Sequence, residues 1–261
     1  MSNIETIPLA PGRKAYFASD FHLGTPSPEQ SLIRERAIVA WLEAIRHDAE
    51  VIFLVGDLFE FWFEYRRTIP RGFLRFQGKL AELADAGIRI VIFTGNHDMW
   101  MFDYFTKEMG IPVYREPRQY DIGGKRFLIG HGDGLGPNDF MYKQLKKVFE
   151  NRLARWLFSW IHPDLGISVA YAWSQQSRAS HMGDEDEQFL GEDREWLMIY
   201  SREVEAKTHH DYYIFGHRHL PMDLNVSSTS RYVNLGEWMS AKTYAVFDGT
   251  TLALRAWLPD T

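Results

Sequence analysis

Cysteine is absent from this chain, which excludes both disulfides and thiolate metal sites. Any metal must then be held by His, Asp, Glu or Asn, a donor set suited to Mn²⁺, Zn²⁺ or Fe. Positive charge is also in short supply. The net charge of −6 argues against broad, sequence-independent binding of nucleic acid, so no nucleic-acid partner is expected. Apolar residues never run for the roughly 18 uninterrupted positions a membrane span needs. Met1 to Gly12 has no basic start followed by an apolar core, so no secretory signal is read there. These absences lead to the expectation of a cytoplasmic, soluble protein. No internal repeat or low-complexity tract stands out.

What is present is enough apolar material for a large core: 45% of the 261 residues are hydrophobic and 15% aromatic. The length fits one domain, 1–261, with a sizeable insertion. Lys14 to Ser19 reads as a buried strand, and Val51 to Val55 and Ile88 to Phe93 are short continuous apolar runs of the kind buried on both faces. Between them, Glu29 to Arg46 has Ile33, Ala37, Ile38, Trp41, Leu42 and Ile45 at helical spacing. Phe73 to Ala86 also reads as a helix, stopped by Gly87. Strands alternating with helices point to an α/β fold with a largely parallel first half. Later, Arg118 to Ile122 and Lys125 to Ile129 flank Gly123-Gly124 as a hairpin. Strands are expected at Tyr212 to Phe215, Tyr232 to Leu235, Tyr244 to Phe247 and Leu252 to Ala256. The architecture expected is two packed sheets with helices outside.

From 137 to 200 a helical, Trp-rich segment interrupts the strands and is read as an inserted lid. Leu145, Val148, Phe149, Leu153, Trp156, Leu157 and Trp160 fall on one face of a 3.6-residue period. Lys143, Lys146, Lys147, Arg152 and Arg155 outnumber Asp139 and Glu150 between Pro137 and Trp160, a basic stretch in an acidic protein.

Five short blocks each follow an apolar run: Asp20-Phe21-His22, Gly56-Asp57, Gly95-Asn96-His97-Asp98, Gly130-His131-Gly132-Asp133 and Gly216-His217-Arg218-His219. In an open α/β sheet that position is where ligands bind. Taken singly, most Gly-Asp pairs are only turn chemistry. All five together supply seven oxygen and nitrogen ligands and a spare histidine, enough for two divalent cations acting on a phosphate. A carboxylate can bridge two ions, and Asp57 is the natural bridge. Asp20, His22 and one histidine of the last block complete one shell; Asn96, His131 and the other histidine complete the second. Two ions roughly 3.5–4 Å apart can hold a hydroxide and stabilise both entering and leaving oxygens. His97 is left over as a candidate general acid, with Asp98 placed to orient its ring. His47, His162, His181, His209 and His210 lie outside the blocks and are expected to be surface or core residues.

Block for block, this pattern resembles the calcineurin-like metallophosphoesterase family, over about Lys14 to Trp257. The resemblance implies a metallophosphoesterase-type two-sheet β-sandwich flanked by helices (αββα). It implies one ion on Asp20, His22, Asp57 and His219 and another on Asp57, Asn96, His131 and His217, Mn²⁺ being expected and Zn²⁺ or Fe accepted. Ser19-Asp20-Phe21-His22-Leu23, Gly56-Asp57-Leu58-Phe59-Glu60, His131-Gly132-Asp133 and the helical insertion are similar to the subgroup that cleaves UDP-2,3-diacylglucosamine to UMP and lipid X in lipid A synthesis. That resemblance implies a lipid-linked nucleotide-sugar substrate, contacted by Asn96, His97, Asp139, Ser174, Arg178 and His217. His97 stands where better-known members carry arginine. A nucleotide diphosphate, a cyclic nucleotide or a phosphoprotein is the alternative substrate, and a binding module without catalysis is the third reading. The bulk of Phe61, Trp62, Phe63, Met99, Trp100, Met101 and Phe102 beside the blocks suits fatty acyl chains. The basic, aromatic lid suits peripheral contact with the cytoplasmic face of the inner membrane.

Overall fold

The computed structural model describes residues 4–137, 140–181, 188–189 and 191–258. Strand β1 (Glu5–Ile7) precedes β2 (Lys14–Ala18), helix α1 (Pro28–Ile45), β3 (Ala49–Val55), α2 (Leu74–Asp85), β4 (Arg89–Phe93), α3 (Tyr104–Met109) and β5 (Val113–Tyr114). The hairpin β6 (Arg118–Ile122) and β7 (Lys125–Ile129) follows, then α4 (Phe140–Glu150), α5 (Arg152–Phe158), α6 (Pro163–His181) and α7 (Trp196–Glu205). The chain closes with β8 (Tyr212–Phe215), β9 (Pro221–Asn225), β10 (Arg231–Leu235), β11 (Thr243–Phe247) and β12 (Leu252–Ala256).

Among the described residues these strands form two six-stranded sheets, ordered β12-β11-β2-β3-β4-β5 and β1-β6-β7-β8-β10-β9. Strands β2 to β5 run parallel, while β11 is antiparallel to its neighbours, so the first sheet is parallel where helices cross over and antiparallel at its edge. The two-period of β3 explains the layering. Val51, Phe53 and Val55 face the core between the sheets, whereas Ile52 and Leu54 face the layer formed by α1 and α2. Phe53 stacks on Phe17 with ring centroids 5.1 Å apart and meets Tyr120 of the other sheet edge-on at 5.0 Å. The outer face of the second sheet is covered by α7 through Leu197 and Met198.

Most expected elements match the structure to within two residues at each end. The elements not foreseen, β1, β5, β9 and α3, are short or marginal. Strand β9 begins at Pro221 and lies at a sheet edge, where a missing N–H leaves no ladder bond unmade.

One packing expectation needs correction. Ile33, assigned to the inner face of α1, is 64% exposed; Arg34 and Glu35 are buried in that turn instead. The Arg34 guanidinium donates to the carbonyls of His22 and Thr25 at 2.6 and 2.5 Å, and Glu35 accepts from the first amides of α2. Their hydrogen bonds fix the first turns of α1, and burial of Ile38, Trp41, Leu42 and Ile45 fixes the rest. The residues that share a face in the insertion divide between the interior and solvent. Asn151 caps α5 and breaks the helix, Phe149 and Phe158 turn inward, and Val148, Leu153, Trp156, Leu157 and Trp160 are exposed. The expected lid boundary at 200 falls inside α7. No helix among the described residues is long and apolar enough to cross a membrane.

Phe53 packs both sheets together, so Phe53→Ala should destabilise the fold by about 3–5 kcal/mol through lost burial and a cavity. Chemical denaturation checks this; a loss near zero would place the inter-sheet core elsewhere.

Candidate metal centre

Each block hangs from the carboxyl end of a strand: Asp20 and His22 after β2, Asp57 after β3, Asn96 to Asp98 after β4, His131 after β7, and His217 and His219 after β8. The chain must turn sharply there to aim side chains inward. Asp20, His22, Asp57, His217 and His219 all sit in the left-handed region, with φ between 44° and 68°. Such strain in non-glycine residues persists only where surrounding structure enforces it, typically at functional sites. The glycines serve closeness. A Cβ on Gly56 would lie 2.5 Å from His131 Nδ1, and one on Gly95 would collide with the Asp57 carboxylate.

The loops are held by a backbone ladder. Asp20 N donates to Gly56 O, His22 N to Asp57 O, and Leu23 N to Leu58 O, at 2.9–3.0 Å. All seven expected ligand residues come together. His22 Nε2 is 3.0 Å from His219 Nε2 and 3.7 Å from Asp20 Oδ1, and His219 Nε2 is 3.2 Å from the same oxygen. Asp57 Oδ2 is 3.2 Å from His131 Nε2 and 3.8 Å from His22 Nε2, so it stands between the two groups. Asn96 Oδ1 is 3.3 Å from His131 Nε2, and His217 joins Asp57 and His131 in a second cluster whose ligand atoms lie within 4.8 Å of one another.

This donor set fits divalent cations on its own geometry. Asp20 Oδ1 is wholly buried without a hydrogen-bond partner, an expensive arrangement unless a cation answers it. Two nitrogens each about 2.1 Å from an ion and at right angles lie about 3 Å apart, the separation of the His22 and His219 nitrogens. The tautomer of His131 is set as well. Its Nδ1 donates to Val55 O at 2.8 Å, which leaves Nε2 for coordination.

Electrostatics without an ion show the tension. Burial alone would lower the pKa of His131, but the Asp57 carboxylate outweighs it and pushes the imidazole up to about 10. His217 moves the other way, to about 4, through burial and then repulsion from His131. Burial and the nearby Asp57 charge raise Asp98 to about 7, opposed by the Gly95 amide. The Asp57 carboxyl is held well below its usual range: burial opposes this, and the charges of His131 and His97 prevail.

The role expected for Asp98 is corrected. Its carboxylate accepts from Gly95 N and Leu58 N at 2.7 Å each and latches the third block onto the second, a backbone role rather than the ring-orienting one expected. His97 Nδ1 lies instead 3.1 Å from Glu60 O, and its amide donates to Asp57 Oδ1 at 2.9 Å. Glu60 was missed, although a carboxylate inside the apolar run Leu58 to Phe63 is itself a signal. Arg34 was missed too, because its bonds are to backbone. Of the expected substrate contacts, Asn96, His97 and His217 are at the centre. Asp139 lies outside the described residues, as do the side chains of Ser174 and Arg178 on α6. Beside Gly95 opens a cavity of about 360 Å³ walled by Met99, Trp100 and Phe149 and edged by Arg115, Lys146 and Arg155.

Comparison with known proteins gives a consistent result. The model of the calcineurin-like phosphoesterases matches residues 14–221. A UDP-2,3-diacylglucosamine hydrolase of Porphyromonas gingivalis is 41% identical over 256 residues, covering 93% of this chain and 97% of that one. Another, from Aeromonas salmonicida, is 29% identical over 166 residues, covering 64% and 63%. Among solved structures, Vps29 from Entamoeba histolytica, complexed with zinc, aligns at a TM-score of 0.43 and 14% identity over 92% of this chain and 89% of that one.

The raised His131 pKa has a consequence for loading. Coordination through Nε2 needs the neutral ring, which is protonated below about pH 10 in the metal-free protein. Metal uptake at pH 8 should therefore release about one proton, and apparent affinity should climb roughly tenfold per pH unit. Calorimetry in buffers of different ionisation heat measures the proton count; a count of zero contradicts this account.

Proposed function

This chain belongs to the calcineurin-like phosphoesterase family, and on that footing we propose that it hydrolyses a phosphoanhydride, cleaving UDP-2,3-diacylglucosamine to UMP and 2,3-diacylglucosamine 1-phosphate in lipid A synthesis. The observation that carries the reading is the convergence of Asp20, His22, Asp57, Asn96, His131, His217 and His219 beside a cavity with both aromatic and basic walls. Asp20, His22, Asp57 and His219 hold one divalent ion and Asp57, Asn96, His131 and His217 a second, with Mn²⁺ the proposed ion. When bound, such ions polarise the phosphoryl oxygens and make water a nucleophile near neutral pH.

The chain's own residues do the rest. Water adds to the α-phosphorus, the bond from that phosphorus to the bridging oxygen breaks, and the bridging oxygen leaves with the sugar phosphate. His97 is the proton donor to that departing oxygen through Nε2, its Nδ1 being tied to Glu60 O. Asn96 and His217 line the phosphoryl group. The walls of Met99, Trp100 and Phe149 receive acyl chains, and Arg115 and Arg155 offer positive charge to the anionic end, Lys146 being paired with Asp133 at 2.8 Å and Glu116 also lining the cavity. The 41% identity to a UDP-2,3-diacylglucosamine hydrolase across nearly all of both chains supports this substrate.

The outward side of the lid supports peripheral association with the cytoplasmic face of an anionic membrane. Trp156 and Trp160 are 55% and 75% exposed, with exposed Arg152 and Lys147 nearby. The lid is proposed to span 137–200.

Three experiments test these readings. Asp57→Ala should cut UMP release by roughly a thousandfold or more, the scale of losing a group on which others depend. UMP release from the lipid substrate, set against hydrolysis of UDP-glucose and bis-p-nitrophenyl phosphate, should favour the lipid; faster turnover of either soluble compound would shift the substrate class. Separately, the protein should sediment with vesicles containing anionic lipid, and the double change Trp156→Ser, Trp160→Ser should weaken that partition at least about tenfold. Equal partition of the two proteins would assign the exposed face another purpose.

A further inference from the structure

One buried carboxylate touches the centre without being among its expected ligands. Glu60 is 1% exposed and lies in the aromatic run after the second block. Its position is fixed by backbone, because Glu60 N donates to Leu23 O at 2.9 Å, continuing the ladder that pairs His22 with Asp57. That pairing brings its Oε2 within 3.3 Å of His22 Nδ1, on the side of the ring away from the Asp20 and His219 donors. Its other oxygen lies 3.8 Å from His97 Nδ1, and its carbonyl lies 3.1 Å from that same nitrogen.

A carbonyl only accepts, so His97 Nδ1 carries a hydrogen and any proton exchanged with substrate must pass through Nε2. This closes another use of the same atoms, a single ion held by Glu60, His22 Nδ1 and His97 Nδ1. The position of the carboxylate on the Nδ1 side of His22 has a physical consequence. It accepts from Nδ1–H, turns the Nε2 lone pair toward Asp20 and His219, and makes the ring a better donor.

We infer that Glu60 is a positioning residue of the centre, holding His22 in the Nδ1–H tautomer for coordination through Nε2 while its own carbonyl ties down His97 Nδ1–H and leaves Nε2 as the nitrogen that takes up and passes on a proton. This rests on the two-metal reading above, and the experiment separates the two. Wild-type protein titrated with Zn²⁺ should bind two equivalents; fewer would overturn the two-metal reading and this inference with it. In the zinc-loaded wild type, long-range ¹H–¹⁵N correlation should show His22 and His97 protonated on Nδ1. An Nε2–H tautomer at His22 would overturn the role of Glu60 while leaving the two-metal count intact. Glu60→Ala should weaken one of the two zinc equivalents by about 10- to 100-fold and leave the other within about threefold. Glu60→Gln, whose amide oxygen still accepts, should fall between Glu60→Ala and wild type. Two equivalents bound by Glu60→Ala as tightly as by wild type would refute the inference. If Glu60→Ala does not fold, the wild-type tautomers and the Gln variant decide.

Discussion

Asp57 carries a negative charge into a place with almost no water, and much of the molecule answers to that charge. Three histidines from different loops approach it, the His97 amide points at it, and its presence drives Asp98 toward neutrality while keeping His131 charged. Such a cluster is costly in a low-dielectric interior unless paired or metallated. The strained turns at five ligand residues and the close approaches allowed by Gly56 and Gly95 make sense as the means of gathering it.

The seven positions that converge on the candidate centre could be read from sequence because each is a polar residue ending an apolar run, and that contrast is local. The strands were legible for the same reason: residues buried on both faces, as in Val51 to Val55, leave no alternation to confuse. The supporting shell was less legible. Arg34 serves the site by bonding carbonyls of His22 and Thr25, and carbonyls belong to every sequence alike. Asp98 looked like a partner for its neighbour His97, yet adjacent side chains on a turn diverge, and its oxygens found the amides of Leu58 and Gly95 instead. The outward lid residues show a second limit. Periodicity establishes that Leu153, Trp156 and Trp160 share a side, and says nothing of whether that side meets protein or solvent.

The insertion touches the body mainly through rings. Phe158 meets Phe61, Phe63 and Trp100, and Trp100 Nε1 donates to Phe149 O at 3.0 Å. These body residues belong to the loops that carry the second and third blocks, so the lid leans on the loops that present Asp57 and Asn96. At its far end, the buried pair of Arg218 with Glu195, 3.0 Å apart, ties the return of the insertion to the loop bearing His217 and His219. Arg218 also lies over the Trp196 ring, 4.3 Å from its centroid. Lid and centre therefore share walls rather than merely facing each other.

The ligands come from both layers of the sandwich: Asp20, His22, Asp57 and Asn96 hang from one sheet, His131, His217 and His219 from the other. A cation in either cluster would thus be a rivet through two plates that already meet through an apolar core and a few polar links such as His131 Nδ1 to Val55 O. Because an unfolded chain offers no such assembled pair of shells, the free energy of filling the rivet holes adds to that of folding itself. On the two-metal reading, a molecule starved of metal would forfeit mechanical cohesion together with its chemistry.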